Sequence, residues 1–468
     1  MSSAKQARNI ALIVASALFM EQLDGTVIST ALPAMAASFH SAPAFMSLAM
    51  TAYLLSLAVC IPASGQIADR YGARLVFRVA ILVFTASSLA CAVAPDFAAL
   101  IAARVVQGMG GAMMVPVGRL ILLRSVDKAD RIVAMAWLLT PGMLGPVVGP
   151  PLGGLIVTFA SWRWIFLINL PIGILGFALV SFYIRDVGET VLRKFDVVGW
   201  VISGLALLFF VGGLEVLAKH DLPLGDCAVA MALSLVFGWL YMRHARHHAD
   251  PVLDLSLMRV QTFFMSVVAG TLFRVGFGAL PFLLPLMLQL GFGYSPLQSG
   301  LVTFATAASS MLMKSMSSKI LKRLGYRTVL IWNALFCAGF LAICAAFRPD
   351  WPVAAIYAVL LTGGFFRSLQ FNAYGSIAYA DIDPARMSAA TSFNSMVVQL
   401  AGSLGVAVAA SVLGLMLTWS GHEVPRLGDF SAAFLVLAAL SLPAVYLCAQ
   451  LPEHAGSELT GKTPAPAQ

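Results

Sequence analysis

Charge is scarce in this chain. Only 11% of its 468 residues are Asp, Glu, Lys or Arg, against 60% hydrophobic residues and a mean hydropathy of +0.89. A soluble globular domain carries about 25% charged residues, so that class is excluded and a polytopic membrane protein remains. Cysteine is sparse too: Cys60, Cys91, Cys227, Cys337, Cys344 and Cys448 lie in or beside apolar stretches without a Cys-x-x-Cys spacing. They read as inert core residues, so neither a disulfide framework nor a metal site is expected. No nucleophile, His and acid constellation recurs at reactive spacing, which argues against a membrane enzyme. No cofactor is expected, and the chain is read as having no Gly-x-x-x-x-Gly-Lys-Ser/Thr phosphate-binding loop, so no ATP-driven step is expected. The loops are short and hold no signalling domain, which weighs against the alternative of a transporter-like fold that senses a ligand without moving it. The first apolar segment is long enough to span, carries acids and lacks a small-residue cleavage site, so it is not read as a signal peptide.

What is present is a run of apolar segments of about 20 residues, the length that crosses a bilayer as a helix. They fall near 10–34, 44–64, 76–94, 97–118, 132–160, 164–184, 197–217, 225–242, 261–290, 297–316, 328–347, 352–379, 387–418 and 430–450. Fourteen spans put both termini on one side. Of the 29 Lys and Arg, Arg104, Arg274 and Arg367 fall within spans; Arg163, Lys219, Arg348 and Arg426 fall on the far side; the other twenty-two lie on the side of the N-terminus. By the positive-inside rule that side is cytoplasmic. The net charge of +8 is therefore a topology signal, and nucleic acid is not an expected partner.

Glu21 and Asp24 stand inside the first span, three residues apart and hence on neighbouring directions of one helix face. A carboxylate at the centre of a bilayer costs about 2.5–3.5 kcal/mol on insertion scales, so it needs a partner, a water-filled cavity or a bound proton. The functional reading is a protonatable site beside a central cavity. The structural reading is a pair neutralised by an Arg, and Arg104 is the candidate counterion for both acids.

An internal repeat runs through the chain. Arg70-Tyr-Gly72-Ala-Arg74 after the second span is echoed by Arg323-Leu-Gly325-Tyr-Arg327 after the tenth, and Arg104-Val-Val-Gln107 in the fourth by Arg367-Ser-Leu-Gln370 in the twelfth. Secondary transporters are commonly built from duplicated halves around a midplane site. Six duplicated spans leave two over, and the seventh and eighth are the natural extras.

Five motifs carry a family resemblance over nearly the whole chain. They are Leu23-Asp24-Gly-Thr-Val-Ile-Ser-Thr-Ala-Leu-Pro33, Gly65 to Arg74, Arg104-Val-Val-Gln107-Gly108, Gly145-Pro-Val-Val-Gly149-Pro150-Pro-Leu-Gly153-Gly154, and Trp162-Arg-Trp-Ile-Phe-Leu-Ile-Asn-Leu-Pro171-Ile-Gly173. With them the sequence resembles the fourteen-helix drug:proton antiporters of the major facilitator superfamily, the EmrB/QacA type, nearest the MdtD-like branch. The resemblance implies an all-α membrane protein of the major facilitator fold. Two pseudo-symmetric six-helix bundles, 1–190 and 259–452, would flank two linker helices in 191–258, with a disordered cytoplasmic tail at 453–468.

The resemblance also implies roles. Asp24, with Glu21 and Arg104, would couple transport to protons. Gly65, Asp69, Arg70, Gly72 and Arg74 would form a gating latch, with Asp69 bridging Arg70 and Arg74; Ala73 departs from the basic residue common there, and a topology-fixing basic loop is the plainer reading. Gly145, Pro146, Gly149, Pro150, Gly153 and Gly154 would form the antiporter motif, whose small residues let a helix bend and pack closely. A kinked packing helix would read the same way. Arg367, Gln107, Gln370, Asn372, Tyr374, Asn394, Trp137 and Phe366 are candidate substrate contacts, although each alone is more often a packing residue. His244, His247 and His248 resemble a metal tract, yet beside Arg243 and Arg246 they read as a solvated basic loop.

The chain is thus expected to be a proton-coupled secondary transporter exporting small molecules, drugs or metabolites, across the bacterial inner membrane by alternating access. Its partners would be a small-molecule substrate, protons and the bilayer, and it would act as a monomer. The alternative is an exporter of anionic metabolites or metal chelates such as carboxylates or siderophores. Arg367, with no acid at matching depth in its own half, points that way.

Overall fold

The computed structural model describes residues 3–126, 130–184, 195–218, 224–248, 250–422, 424–452 and 455–460. Their long helices are α1 (Ala7–Thr30), α2 (Pro43–Tyr71), α3 (Ala73–Ala92), α4 (Phe97–Ser125), α5 (Val133–Phe159), α6 (Trp164–Tyr183), α7 (Val197–Val216), α8 (Leu224–His247), α9 (Gln261–Gly291), α10 (Pro296–Leu324), α11 (Tyr326–Ala345), α12 (Val353–Ile377), α13 (Met387–Ser420) and α14 (Leu427–Ala449). Thirteen are long and apolar enough to cross a membrane. The exception is α10, whose 29 residues are rich in Ser, Thr and Lys. It packs along α5 and α12, with Ser299, Thr303, Thr306, Ser309 and Ser317 buried.

Local chemistry sets the helix ends. Asp96 accepts from the Ala99 N–H at 2.8 Å at the start of α4, and Ser295 with Gln298 forms a capping box at the start of α10, with Pro296 in its first turn. The repeated Arg-x-Gly-x-Arg segments make equivalent corners: Gly72 joins α2 to α3 with φ +87°, and Gly325 joins α10 to α11 with φ +82°. A side chain with a Cβ is strained there, which explains why each half spells glycine at the corner. Within α9, Pro281 and Pro285 break the regular ladder, which continues through a π-turn over Met287–Gly291.

The first half is knit by α4 against α2 and α3 and by α1 against α5; the second by α12 against α10 and α11 and by α9 against α13. The halves meet along α5/α10 and α2/α13. A Cβ on Gly154 would fall 2.4 Å from the Pro296 carbonyl, and one on Gly300 2.3 Å from the Pro150 carbonyl. These backbone approaches lie at the end of the bundle that carries Phe159 and Pro296, opposite the end that carries Asp69 and Arg124. Helix α7 docks on α2 and α13, while α8 packs chiefly on α7 and turns most of its surface outward.

Three expectations change here. Helix α4 runs past the expected 118, so Arg119 is intrahelical, and Lys314, counted above with the N-terminal side although it falls inside the expected span 297–316, is intrahelical as well. Glu215 in α7, overlooked as an intramembrane acid, is buried and accepts from the Ser47 hydroxyl at 2.7 Å. The tail expected to be disordered is structured over Ser457–Thr460, with Gly456 against the Tyr326 ring. Residues 453–454 and 461–468, the 190/191 boundary, and the basic residues Lys128, Arg185, Arg193, Lys194, Lys219 and Lys462 lie outside the described residues.

Candidate functional site

Asp24 is the hub of a solvent-excluded polar network built from five helices. Arg104 of α4 places Nη1 2.5 Å from Asp24 Oδ2, both side chains being 0% exposed. Gln107, one turn further along α4, donates to Asp24 Oδ1 at 2.9 Å, and Asn169 of α6 donates to the same oxygen at 2.8 Å. Gln107 also donates to the Ser88 hydroxyl of α3 at 2.7 Å and accepts from Arg104 Nη1 at 2.6 Å. From α2, the Ala49 carbonyl accepts Arg104 Nε at 2.9 Å and the Tyr53 ring lies 4.2 Å under the guanidinium. A buried carboxylate with three donors and a stacked, charge-matched Arg is the arrangement in which a desolvated ion pair can persist.

The pairing of Asp24 with Arg104 matches the sequence reading, whereas Glu21 takes another place. Its Oε2 is buried without a hydrogen-bond partner among the described residues, it touches the space beside Gly111 and the Tyr53 hydroxyl, and its electrostatic neighbour is Arg119 rather than Arg104. One turn along α1 is enough to move it from the Asp24 hub toward the cavity. Asn169, Ser88 and Tyr53 were missed as members. Asn169 stood within a recognised motif as its only uncharged polar residue, which was the available signal; Ser88 had none.

The antiporter motif brings α5 onto the acid-bearing helix. Cβ atoms on Gly145, Gly149 and Gly153 would fall 2.8 Å from Leu23 N, 2.2 Å from Thr26 Oγ1 and 2.4 Å from the Val27 carbonyl. Glycines at i, i+4 and i+8 let the two backbones touch. The next residue, Gly154, makes the same kind of contact with α10, so α5 couples the Asp24 helix to the opposite half.

Between the halves lies a cavity of about 460 Å³, lined from α1, α4, α5, α10 and α12. Arg119, Lys314 and Arg367 line it, with Gln22, Ser310, Ser368 and Asn372 as polar neighbours and Met143, Met311 and Phe371 among the apolar wall. Of the candidate substrate contacts, Arg367 and Asn372 are thus at the cavity, and Pro146 of the antiporter motif lines it too. The others are elsewhere. Gln107 belongs to the Asp24 network. Gln370 is held by Asn333 at 2.8 Å and the Leu330 carbonyl at 3.0 Å, Tyr374 by Cys448 at 3.2 Å, and Asn394 by Tyr379 at 3.1 Å. Phe366 stacks on Phe336 at 5.3 Å, and Trp137 is 43% exposed on α5 outside the cavity. The second half repeats the Gln-to-neighbouring-helix bond but carries no acid matching Asp24. Its Arg274 donates to the Ser266 carbonyl at 3.1 Å.

At the latch, Asp69 pairs with Arg124 of α4 at 2.8 Å. This corrects the expected bridge to Arg70 and Arg74: Arg70 lies against the Tyr71 ring, and Arg74 donates to the Ser181 carbonyl at 2.6 Å. Gly65 has open space around it. The His run is no free solvated loop either. His244 Nε2 is 2.7 Å from Asp196 Oδ1, His248 stacks on His244, and the three side chains place their ligand-capable atoms within 4.8 Å of one another. Burial alone would raise the Asp196 carboxyl, but the Gly199 N–H, the His244 ring and the Val252 N–H together hold it below the usual range.

One sequence feature needs correcting. Gly456-Ser-Glu-Leu-Thr-Gly461-Lys462-Thr463 has the letter spacing of a phosphate-binding loop, so the reading that no such spacing occurs in the chain is wrong. That motif works as a turn between a strand and a helix, and no strand occurs among the described residues. Gly456 instead packs on Tyr326.

Two bundles of membrane-length helices, an intramembrane ion pair and a polar cavity between the bundles define a multi-pass membrane transporter. The Major Facilitator Superfamily model matches residues 14–406, and the chain belongs to that family. A relative named for multidrug resistance, MdtD of Pectobacterium carotovorum, is 37% identical over 441 residues, covering 92% of this chain and 93% of its own. The MdtD-named protein of Klebsiella pneumoniae is 37% identical over 456 residues, 95% of each. Among solved structures, a D-xylose-proton symporter aligns with TM-score 0.67 at 16% identity over 96% of this chain and 98% of that one, and the human organic anion transporter MFSD10 with TM-score 0.62 at 17% identity over 94% and 99%. Both share the fold.

Proposed function

We propose that this chain is a proton-coupled exporter of small molecules that works by alternating access in the bacterial inner membrane, with both termini cytoplasmic. The carrying observation is the Asp24–Arg104 pair, buried within the half-bundle and connected through α1 and the glycine face of α5 to the interface between halves. The MdtD relatives, named for multidrug resistance, support efflux as the direction. Asp24 is the proton-coupling acid, Arg104 is its counterion, and Gln107, Asn169 and Ser88 orient it. The units are residues 1–190, the α7–α8 linker pair and 259–452.

Alternating access would follow from the packing. With the halves in backbone contact where Gly154 meets Pro296, the cavity would open toward the Asp69/Arg124 end, the cytoplasmic one in this reading. Rocking about α5 and α10 would separate Gly154 from Pro296 and bring the Asp69 ends together. A proton moving inward under a potential contributes about 2.3 kcal/mol per 100 mV, enough to sustain a substantial outward gradient. The test is purified protein in liposomes under an imposed pH gradient: Asp24→Asn should abolish proton-driven flux while inserting normally. Undiminished flux in that variant would remove Asp24 from coupling. A reporter fused at residue 250 tests the topology and should be active only on the cytoplasmic side.

A further inference from the structure

The cavity carries more positive charge than the sequence reading foresaw, because Arg119 and Lys314 join Arg367 on its wall and no carboxylate among the described residues lines it. Among the described residues none of the three forms an ion pair. Arg367 reaches only the Ser310 hydroxyl, at 3.5 Å, and Lys314 only the sulfur of Met143, at 3.0 Å. Glu21 is near Arg119 but lies behind the lining. Cations at membrane depth without acids are costly and mark ligand pathways, and guanidinium forks suit carboxylate and phosphate oxygens.

The three come from both halves: Arg119 from α4, Lys314 from α10 and Arg367 from α12. We propose that the cavity binds a small organic anion bearing two or more carboxylate or phosphate groups, bridged between the halves by Arg119 on one side and Lys314 with Arg367 on the other. Ser310, Ser368 and Asn372 supply further hydrogen bonds, and the Met143, Met311 and Phe371 surfaces accept the carbon skeleton. A cation in the same place would meet three like charges. This inference rests on the exporter reading only for its direction of transport. For that direction it has an electrical consequence: a dianion leaving while one proton enters moves net charge, so an inside-negative potential drives the exchange. A monovalent cation exchanged for one proton would move none.

The test uses the full chain and two readouts. Equilibrium binding in detergent would be measured with acetate, succinate, tricarballylate, glycerol 3-phosphate and tetraphenylphosphonium, and exchange of the same probes for protons would be followed in liposomes with and without a potassium-diffusion potential. The di- and tricarboxylates or the phosphate ester should bind at least tenfold more tightly than acetate, and which of them binds best identifies the anionic group. Lys314→Gln and Arg367→Gln should each weaken that binding at least tenfold. Arg367→Lys, which keeps the charge and loses the fork, should weaken it less than Arg367→Gln. Liposome exchange should accelerate under an inside-negative potential. Anion binding unchanged in both Lys314→Gln and Arg367→Gln, or electroneutral exchange of tetraphenylphosphonium with no anion bound, would overturn the anion site while leaving the exporter reading intact. Anion binding with no proton exchange of any probe would support the site and overturn the proton-coupled reading instead.

Discussion

Arg104 Nη1 sits 2.5 Å from Asp24 Oδ2 with neither side chain reaching solvent, so the two form a fully buried ion pair. Breaking a buried pair by removing one partner costs about 3–5 kcal/mol, whereas removing both charges together is often nearly neutral. Arg104→Gln should therefore lower the melting temperature of the detergent-solubilised protein markedly, and Asp24→Asn less, because the amide still takes part in hydrogen bonding. The double variant should regain stability relative to Arg104→Gln yet show no proton-driven flux. A double variant as unstable as Arg104→Gln would mean that the guanidinium stabilises the fold through Ala49 and Tyr53 rather than through Asp24.

The glycine face of α5 gives a steric prediction. A Cβ at position 149 would lie 2.2 Å from Thr26 Oγ1, inside any tolerated contact, so Gly149→Ala should displace α1 and with it Asp24. Overpacking of this kind costs about 1–3 kcal/mol, and transport should fall more steeply than expression. Thr26→Ala removes the nearest atom and should restore part of the activity. Gly212→Ala, where nothing lies within 4 Å, is the control and should be silent. Equal activity of Gly149→Ala and Gly212→Ala would show that the α1–α5 approach is not needed for transport.

The latch prediction follows the partner that geometry assigns. Asp69 and Arg124 are each about one-third exposed, and such pairs contribute only about 0–1 kcal/mol to stability. Asp69→Asn and Arg124→Gln should therefore leave thermal stability nearly unchanged while altering transport rate to similar extents, and the double variant should be no worse than either. Arg70→Gln, which breaks no ion pair with Asp69, should have a smaller effect. Additive rate losses in the double variant would show that the two residues act separately.

Much of this architecture was legible because the membrane restricts the solutions. Thirteen of the fourteen expected spans, the corners at Gly72 and Gly325 and the Asp24–Arg104 pairing all follow from hydrophobic length, backbone sterics and the cost of a lone charge in lipid. The misreadings share a cause. Arg119 and Lys314 sit where hydropathy falls, so both count with the cytoplasmic-side charges on sequence alone, but helices lining a cavity can be polar and α10 is an example. Asp69 was paired with its sequence neighbours although the Arg of another helix, 55 positions later, was within reach. Gln370 and Tyr374 bond to neighbouring helices and Asn394 to Tyr379 in the turn after α12, and a span's sequence does not reveal which polar residue faces the cavity.

The last prediction concerns pH at the base of the linker pair, where Asp196 caps α7 and holds His244 of α8 at 2.7 Å. Its carboxyl is kept below the usual range: burial opposes this, but the Gly199 N–H, the His244 ring and the Val252 N–H outweigh it. A carboxyl that holds its proton more weakly in the folded than in the unfolded state favours folding when ionised. The contribution is therefore complete above the unfolded value, about pH 4, and is lost as pH falls through the lower folded value. Asp196→Asn should melt earlier than wild type at pH 6, and the gap should narrow steadily as the pH is lowered from 4 to 3. The Gly199 contact survives in part through the Asn side chain, so the gap measures chiefly the charge. A gap of constant size from pH 6 to pH 3 would show that the lost stability comes from shape and not from the ionised carboxylate.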